Sequence, residues 1–219
     1  MIRLGPLFYL PCDDAASPLL DHSGNGFNFA TVGGVVNYQV TGLIPTSANT
    51  AVKRSSSTFQ HVALPYSGQT YTWLYWVNTL DTAHALPMLI QANVNPGLLN
   101  QHYQFRLNID VPELILFDAA QIAYIHNTGL HIADGKTHFL AFTYDGTFSR
   151  FYHNGALVGA PVNLGCTLQV SNFNTFVTGA GGTAGGDPEV GTSDEIAVYL
   201  RALSADEISG IYALATTLT

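Results

Sequence analysis

The stretch DGKTHFLAFTYDGTFSRFYHNGALVG, residues 134 to 159, carries the clearest fold signal in the sequence. It holds one apolar and aromatic run at 137–145 and two further runs at 148–159, which flank Asn154-Gly155. An Asn-Gly pair tolerates the positive φ angles of a tight type I′ turn, so residues 148–159 predict a β-hairpin. The whole stretch therefore predicts three consecutive strands.

The same pattern continues along the chain. Apolar and polar residues alternate in short runs, cut by turn residues about every 8–12 positions, which is typical of an all-β sandwich. Within the aromatic strand predicted at 71–78, alternation places Tyr71, Trp73 and Tyr75 on one face and Trp76 on the other. We expect core packing for most of these rings, because aromatic side chains dominate sandwich cores. Further strands are predicted at 7–11, 102–109 and 113–117.

Only the C-terminal part of the chain predicts a helix. Ser204 can cap its start, and Glu207, three residues on, can complete a capping box. The apolar face at helical spacing consists of Ile208, Ile211, Tyr212 and Leu214-Ala215.

Composition narrows the class of protein. A chain of 219 residues with 47% hydrophobic content predicts a single domain, residues 1–219. Only 10% of residues are charged, against roughly 25% in ordinary soluble domains, which favours an extracellular or assembled protein. The net charge of −8 and the scattered basic residues argue against nucleic acid as a partner. No apolar run is long enough to predict membrane insertion.

The N-terminal residues lack the pattern of a secretion signal. Either the chain is not exported by a standard signal, or that signal has been removed. Cys12 and Cys166 are too few for a disulfide framework, and two buried free thiols are favoured over a disulfide pair. His126, His131 and His138 lie on separate segments and do not have the spacing of a zinc site.

No catalytic motif is found. The Gly-rich segment 178–193 predicts a surface loop, because Pro188 precedes a strand and not the helix that a phosphate site needs. No G-x-S-x-G motif occurs. Adjacent acids such as Asp194-Glu195 should point to opposite faces of a strand, so they do not predict a hydrolytic pair. The sequence therefore predicts a protein that is not an enzyme.

The segment DHSGNGF, residues 21–27, begins like an EF-hand calcium loop, but Val32 occupies the twelfth position, where a bidentate acid is needed. It predicts a turn instead. Asp21 and Ser23 can accept hydrogen bonds from backbone amides, and Gly24 and Gly26 permit the change of direction.

Four stretches in order resemble the laminin-G-like, or concanavalin A-like, jelly-roll family: 8–29, 71–77, 134–159 and 190–212. The resemblance implies two packed antiparallel sheets with one short C-terminal helix. The E-x-D-x-x-E strand motif of the hydrolase branch is absent, so the resemblance implies a non-catalytic member.

The resemblance also implies a structural calcium ion held by Asp13, near the first strand, and Asp194, at the closing strand. The alternative is that both are solvated acids or accept hydrogen bonds from turns. No other cofactor is predicted.

Two hypotheses for function follow, and an enzyme with an unrecognised cleft is the remaining alternative. The first is a structural or adhesion module on the surface of a bacteriophage particle, as a capsid decoration, tail or fibre protein. Such a protein is released by cell lysis without a secretion signal, it self-associates with other subunits, and avidity strengthens weak binding to cell-surface glycans. The second is a secreted carbohydrate-binding module. Its ligand contacts would be aromatic residues of the 71–78 strand or residues predicted in loops: Tyr66, His84, Asn100 and Tyr124.

Overall fold

A computed structural model describes residues 5–32, 35–45, 49–55, 58–62, 68–82, 85–95, 98–169, 175–178 and 191–217. The strands are β1 (Phe8–Leu10), β2 (Ala30–Val32), β3 (Val35–Thr41), β4 (Thr50–Ser55), β5 (Thr58–Val62), β6 (Tyr71–Asn78), β7 (Ala85–Asn95), β8 (Leu98–Asn108), β9 (Val111–Phe117), β10 (Ala123–Asn127), β11 (His138–Tyr144), β12 (Phe148–His153), β13 (Ala156–Asn163), β14 (Thr175–Thr178) and β15 (Gly191–Tyr199). One helix, α1 (Ala205–Thr217), follows β15.

The described strands form two antiparallel sheets. The first has the order β13-β12-β11-β6-β15-β4-β3, with β1 paired to β15. The second has the order β10-β9-β8-β7-β14-β5-β2. The all-β, two-sheet jelly-roll prediction with one terminal helix is therefore confirmed.

The main core lies between the sheets. Tyr71, Trp73 and Tyr75 of β6 point into it, and the Trp73 ring lies 4.8 Å from the ring of Tyr103 on β8. Trp76 points the other way, into a second apolar cluster on the outer face of the first sheet. The predicted division of the aromatic residues between the two faces of β6 is confirmed.

The hairpin of residues 148–159 forms as predicted. Asn154 and Gly155 have φ angles of 50° and 79°, as a type I′ turn requires. The turn also supports the helix, because a Cβ atom on Gly155 would lie only 2.9 Å from Cβ of Tyr212.

Helix α1 begins with the predicted capping box. The Glu207 backbone N–H donates to Ser204 Oγ at 3.2 Å, and the Ser204 N–H donates to Glu207 Oε2 at 2.9 Å. Ile208 is buried against the outer face of the first sheet. Leu214, which the helical spacing placed on the same face, is 65% exposed. Leu214 points to the side of the apolar face, whereas the adjacent Ala215 packs against the outer-face cluster.

The 21–27 segment is a hydrogen-bonded turn, as predicted. Asp21 accepts the backbone N–H groups of Tyr9, Ser23 and Phe27, each at 2.9 Å. Gly24 and Gly26 have φ angles of 82° and 77°. Partial burial acts to raise the pKa of Asp21, but these hydrogen bonds outweigh it and hold the pKa below its ordinary value.

Cys12 and Cys166 are free and buried, in agreement with the favoured alternative. The three histidines tested for zinc spacing have separate partners: Ser149 for His126, Asp110 for His131, and both His153 and Asp134 for His138. The Gly-rich segment 179–190 lies outside the described residues. In the part of the chain that is described, no helix has the length and apolar character needed to cross a membrane.

Candidate functional site

A cavity of about 630 Å³ lies between the outer face of the first sheet and the C-terminal half of α1. Its volume falls within the range of about 300–1,000 Å³ found for small-molecule sites. The sheet supplies an apolar floor and the helix an apolar wall, whereas one end is polar. The lining residues are Leu74, Trp76, Phe139 and Ala197 on the floor, Ile211, Leu214 and Ala215 on the helix, Tyr9, His22, Ser23 and Glu195 at the polar end, and Pro6, Ile44 and Tyr199 around them.

Strand alternation explains the apolar floor. Leu74 and Trp76 are the residues of β6 that point away from the main core, and Ala197 of β15 lies beside Leu74 in register. The Trp76 ring stacks on Tyr212 of α1, with centroids 5.8 Å apart, and contacts Phe139 at 5.1 Å. Trp76 is only 4% exposed. The helix thus covers much of the tryptophan and leaves a limited surface of it in the cavity.

The polar end is built by a β-bulge in β15. The pairing register with β6 shifts between Asp194 and Ala197, and Glu195 has a φ angle of 49°, in the left-handed region. As a result both neighbouring acids reach Asn49, whose Nδ2 lies 3.1 Å from Glu195 Oε1 and 3.4 Å from Asp194 Oδ2. The prediction that adjacent acids point to opposite faces is wrong here, because it assumed a regular strand.

The buried acids carry perturbed pKa values. Burial is the largest cause that raises the pKa of Asp194, to about 7, and the Glu195 charge adds to it. Burial also raises the pKa of Glu195, partly offset by the hydrogen bond that the Tyr9 hydroxyl donates to it. Burial followed by the Glu195 contact raises the pKa of Tyr9 far above its ordinary value. Tyr9 therefore stays a neutral hydroxyl at physiological pH.

The two predicted metal ligands differ in environment. Asp13 is exposed, and its backbone carbonyl accepts a hydrogen bond from Thr50 Oγ1 at 3.4 Å. Asp194 is fully buried and accepts the Leu43 backbone N–H at 2.9 Å in addition to Asn49. N–H donors thus occupy positions that a cation would take. Among the described residues, no group of three or more His, Cys, Asp or Glu side chains is arranged to hold a metal ion. Calcium at Asp13 and Asp194 stays a prediction.

Few of the residues predicted to contact a ligand line this cavity. Trp76 lines it, whereas Tyr71, Trp73 and Tyr75 are enclosed in the main core. Tyr124 lies in β10 and not in a loop, and its hydroxyl donates to Asp118 at 3.2 Å. Asn100 lies in β8 and not in a loop, and its side chain, like Tyr66 and His84, lies outside the described residues.

Sequence reasoning missed Tyr9, His22 and Glu195 as a group. Strand β1 pairs with β15, which brings Tyr9 beside Ala197. The 21–27 turn folds back on the start of β1 and carries His22, whose ring lies 6.5 Å from that of Tyr9. The available signal was the resemblance itself, since a family that pairs its first and closing strands must bring the residues of both together.

The arrangement suits binding better than hydrolysis. Glu195 is the only carboxylate among the described lining residues, whereas the usual glycosidase mechanism needs two carboxyl groups that flank the scissile bond. Hydroxyl, imidazole and carboxylate groups at one end face an apolar floor, which matches a ligand with a polar edge and an apolar surface.

A laminin G family model, described as the concanavalin A-like lectin/glucanases superfamily, matches residues 53–209. No curated protein sequence matches the chain significantly.

Solved structures with similar folds are distant in sequence. The binding domain of Paraclostridial Mosquitocidal Protein 1 is 15% identical with a TM-score of 0.71, over 96% of this chain and 52% of that one. The receptor binding domain of botulinum neurotoxin D is 17% identical with a TM-score of 0.67, over 95% and 52%. The present chain thus spans about half the length of these toxin domains.

Domain 4 of AbnA, an extracellular GH43 arabinanase from Geobacillus stearothermophilus solved in complex with arabinotriose, is 18% identical with a TM-score of 0.67. The match covers 95% of this chain and 98% of that domain, so the two are similar in extent. At these identities the likeness establishes the shared fold.

Proposed function

Since this chain belongs to the concanavalin A-like lectin/glucanase superfamily, we propose that residues 1–219 act as one non-catalytic module that binds a glycan in the cavity beneath helix α1. The observation that carries the proposal is the position of the Tyr9–Glu195 pair at one end of an apolar floor. The extracellular setting of the arabinanase domain and the receptor-binding role named for the toxin domain support the same class of function.

A sugar fits both parts of this cavity. Its hydroxyl groups can donate hydrogen bonds to Glu195 and to the oxygen of the Tyr9 hydroxyl. Its C–H surfaces can lie against aromatic and aliphatic side chains, as sugars commonly do in binding sites. Tyr9 and Tyr199 are half-buried rings beside the cavity and are the side chains best placed for such contacts.

A cavity-filling variant tests the location. Leu214→Trp adds bulk at the rim, and because Leu214 is 65% exposed the change should leave the fold intact. The matched control is Leu80→Trp, at a leucine that is 75% exposed and does not line the cavity. After a glycan array identifies a ligand, calorimetry should show at least about a tenfold loss of affinity for Leu214→Trp and none for Leu80→Trp. Equal affinity of both variants would place the glycan site elsewhere.

The setting of the module is a separate proposal. A charged content of only 10% is consistent with a surface that is partly covered in an assembly, and we propose display on a bacteriophage particle, with a secreted binding module as the alternative. Mass spectrometry of purified particles and the solution mass distinguish them. A monomer that binds glycan and is found in no particle is a secreted module.

Calcium at Asp13 and Asp194 is likewise a proposal, supported by the family resemblance and by the position of both acids near the Tyr9–Glu195 pair. The ion would have to displace the Asn49 amide from Asp194. A rise in melting temperature with calcium chloride, reversed by EGTA and lost in Asp194→Asn, supports it; an unchanged melting temperature removes it.

A further inference from the structure

We infer that the glycan is neutral and carries a methyl-bearing substituent, an N-acetyl or 6-deoxy group, which enters the apolar part of the cavity beneath α1. This inference rests on the proposed function and names the ligand class for the same site. Three features of the cavity carry it: its charge, its hydrogen-bonding groups and its apolar walls.

The charge of the cavity disfavours an acidic sugar. Glu195 lines the polar end, and no Lys or Arg is found among the described lining residues. Asp194 and Asp13 lie close enough to act electrostatically on the same Tyr9 hydroxyl. A carboxylate or sulfate on the ligand would therefore meet the negative charge of Glu195, and the described lining has no Lys or Arg to compensate it.

Basic side chains elsewhere among the described residues, including the exposed Lys53, lie outside the cavity lining. In the described ranges, each arginine is already hydrogen-bonded within the fold, and Lys136 contacts Asp134 at 2.9 Å. The chain as a whole carries a net charge of −8. The side chains that bind these arginines are Ser193 for Arg54, Glu113 for Arg106, Asp145 for Arg150 and Glu207 for Arg201.

The hydrogen-bonding groups select for donors on the ligand. The Glu195 carboxylate accepts one hydrogen bond from Asn49 and one from Tyr9. Each of its oxygens has a second lone pair that can accept a hydrogen bond from a ligand. The Tyr9 hydroxyl donates to Glu195, so it offers only its lone pairs to a ligand. Sugar hydroxyls and the N–H of an acetamido group can both donate to these acceptors.

Apolar side chains form the floor of the cavity and its wall on the helix side. Leu74, Phe139 and Ala197 form the floor and Ile211 closes the side toward the helix. The Trp76 ring is stacked on Tyr212, so this part of the cavity is not an open aromatic platform for a second sugar ring. The three floor side chains are at most 5% exposed, so they leave contact area for a small apolar group and not for a larger one.

A matched ligand series tests the inference. Titration calorimetry with the full chain uses methyl glycosides of glucose, 6-deoxyglucose, N-acetylglucosamine and glucuronic acid, repeated in the galacto configuration. Burial of one methyl group should strengthen binding about fourfold, so the 6-deoxy or N-acetyl member should exceed its parent by at least that factor. The uronide should bind at least about tenfold more weakly than the parent.

Saturation-transfer NMR supplies a second readout. The substituent methyl protons should receive the strongest saturation from the protein, and Leu214→Trp should abolish that signal while Leu80→Trp keeps it. Equal binding of all neutral members, lost in Leu214→Trp, would overturn the inference and leave the proposed function standing. Tighter binding of the uronide would also overturn it. If no member binds, the proposed function fails together with the inference.

Discussion

His102 and Asp194 are both fully buried, and burial moves their pKa values in opposite directions from the ordinary range. Burial lowers the pKa of His102 to about 4, because the imidazolium loses its hydration in the core. Its Nε2 lies 3.0 Å from the Tyr71 hydroxyl. Burial raises the pKa of Asp194 to about 7. The two groups therefore contribute opposing pH dependences of stability between about pH 4 and 6.5.

His102→Gln should reduce the acid sensitivity of the fold. The folded-state pKa of about 4 lies below the ordinary 6.5, so the stabilisation from neutral His102 is complete above pH 6.5 and is lost as the pH falls toward 4. The loss amounts to at most about 3 kcal/mol. Urea unfolding from pH 4 to 7 should show this difference in slope between wild type and variant. Contributions from His126 and His153 are common to both proteins and cancel. Parallel curves would show that His102 does not titrate in this range.

Asp194→Asn should have the opposite effect. The folded-state pKa of about 7 lies above the ordinary 3.8, so the stabilisation is complete below pH 3.8 and is lost as the pH rises toward 7. The variant lacks this loss, which is at most about 4 kcal/mol, and its free energy of unfolding should rise more steeply with pH than that of wild type. Asp206→Asn, on the exposed start of α1, is the control and should follow the wild-type curve.

The directions of individual side chains were the hardest feature to predict from the sequence. The roles of Asp21 and Ser23 followed from short-range chemistry, because turn residues bond their own neighbours. The joint approach of Asp194 and Glu195 to Asn49 did not, since one extra residue in β15 reverses the expected direction of a side chain. A bulge of this kind depends on pairing with β6, more than a hundred positions away along the chain.

At the scale of elements, the β12–β13 hairpin supports helix α1 through a close contact at its turn. Gly155 lies directly against Tyr212, and Tyr212 in turn covers Trp76 at the cavity floor. Tyr212 thus connects the turn to the cavity floor through direct contacts. A change at the turn should therefore affect the cavity floor through Tyr212.

A pair of glycine variants separates this contact from backbone strain. Gly155→Ala and Gly159→Ala both place a Cβ at positive φ, at 79° and 70°, but only the first meets Tyr212. Each should cost about 1 kcal/mol from the left-handed backbone, and Gly155→Ala should cost about 1–3 kcal/mol more from overpacking. Chemical denaturation measures both.

Combining each glycine variant with Tyr212→Gly, which removes the Cβ atom as well as the ring, completes a double-mutant cycle. The additional cost of Gly155→Ala should vanish in the Tyr212→Gly background, and the cost of Gly159→Ala should not change. An additional cost that persists without the Tyr212 side chain would refute the contact between turn and helix.

The elements themselves could be read from the sequence. Strands β6, β9, β11, β12 and β13 and the capping box of α1 depend on local patterns of alternation, turn residues and capping. Leu214 shows the limit, because helical spacing places it on the apolar face, whereas in the structure it is exposed at the rim of the cavity while Ala215 packs on the sheet. The extent of a tertiary contact is not encoded in the spacing of one element.

At the scale of the whole molecule, the cavity is assembled from distant parts of the chain. Its lining runs from Pro6 to Ala215 and draws on β1, β6, β11, β15 and α1. No local sequence motif marks such a site. The fold and the class of function could therefore be predicted from the sequence, but the position of the cavity could not. Only the pairing of strands, which follows from the complete topology, brings Tyr9 and Glu195 together.

The reactivity of the two thiols measures whether the whole chain unfolds in one cooperative step. Cys12 and Cys166 are free and buried, and burial raises the pKa of Cys166 to about 11, so little thiolate is present at neutral pH. We expect no reaction of the folded chain with DTNB and two thiols per chain in denaturant without reductant. If residues 1–219 form one domain, both thiols should become reactive in a single urea transition. The absence of free thiols in denaturant would instead indicate a disulfide.

The pairing of β1 with β15 determines when the cavity can form during synthesis of the chain. Phe8 is aligned with Val198, so the first strand leaves the ribosome long before its partner has been synthesised. Until then Tyr9 has neither Glu195 beside it nor the helix above it. The cavity beneath α1 therefore forms only after β15 and α1 have been synthesised, so a ligand of that cavity can stabilise the folded chain but cannot assist the earlier steps of folding.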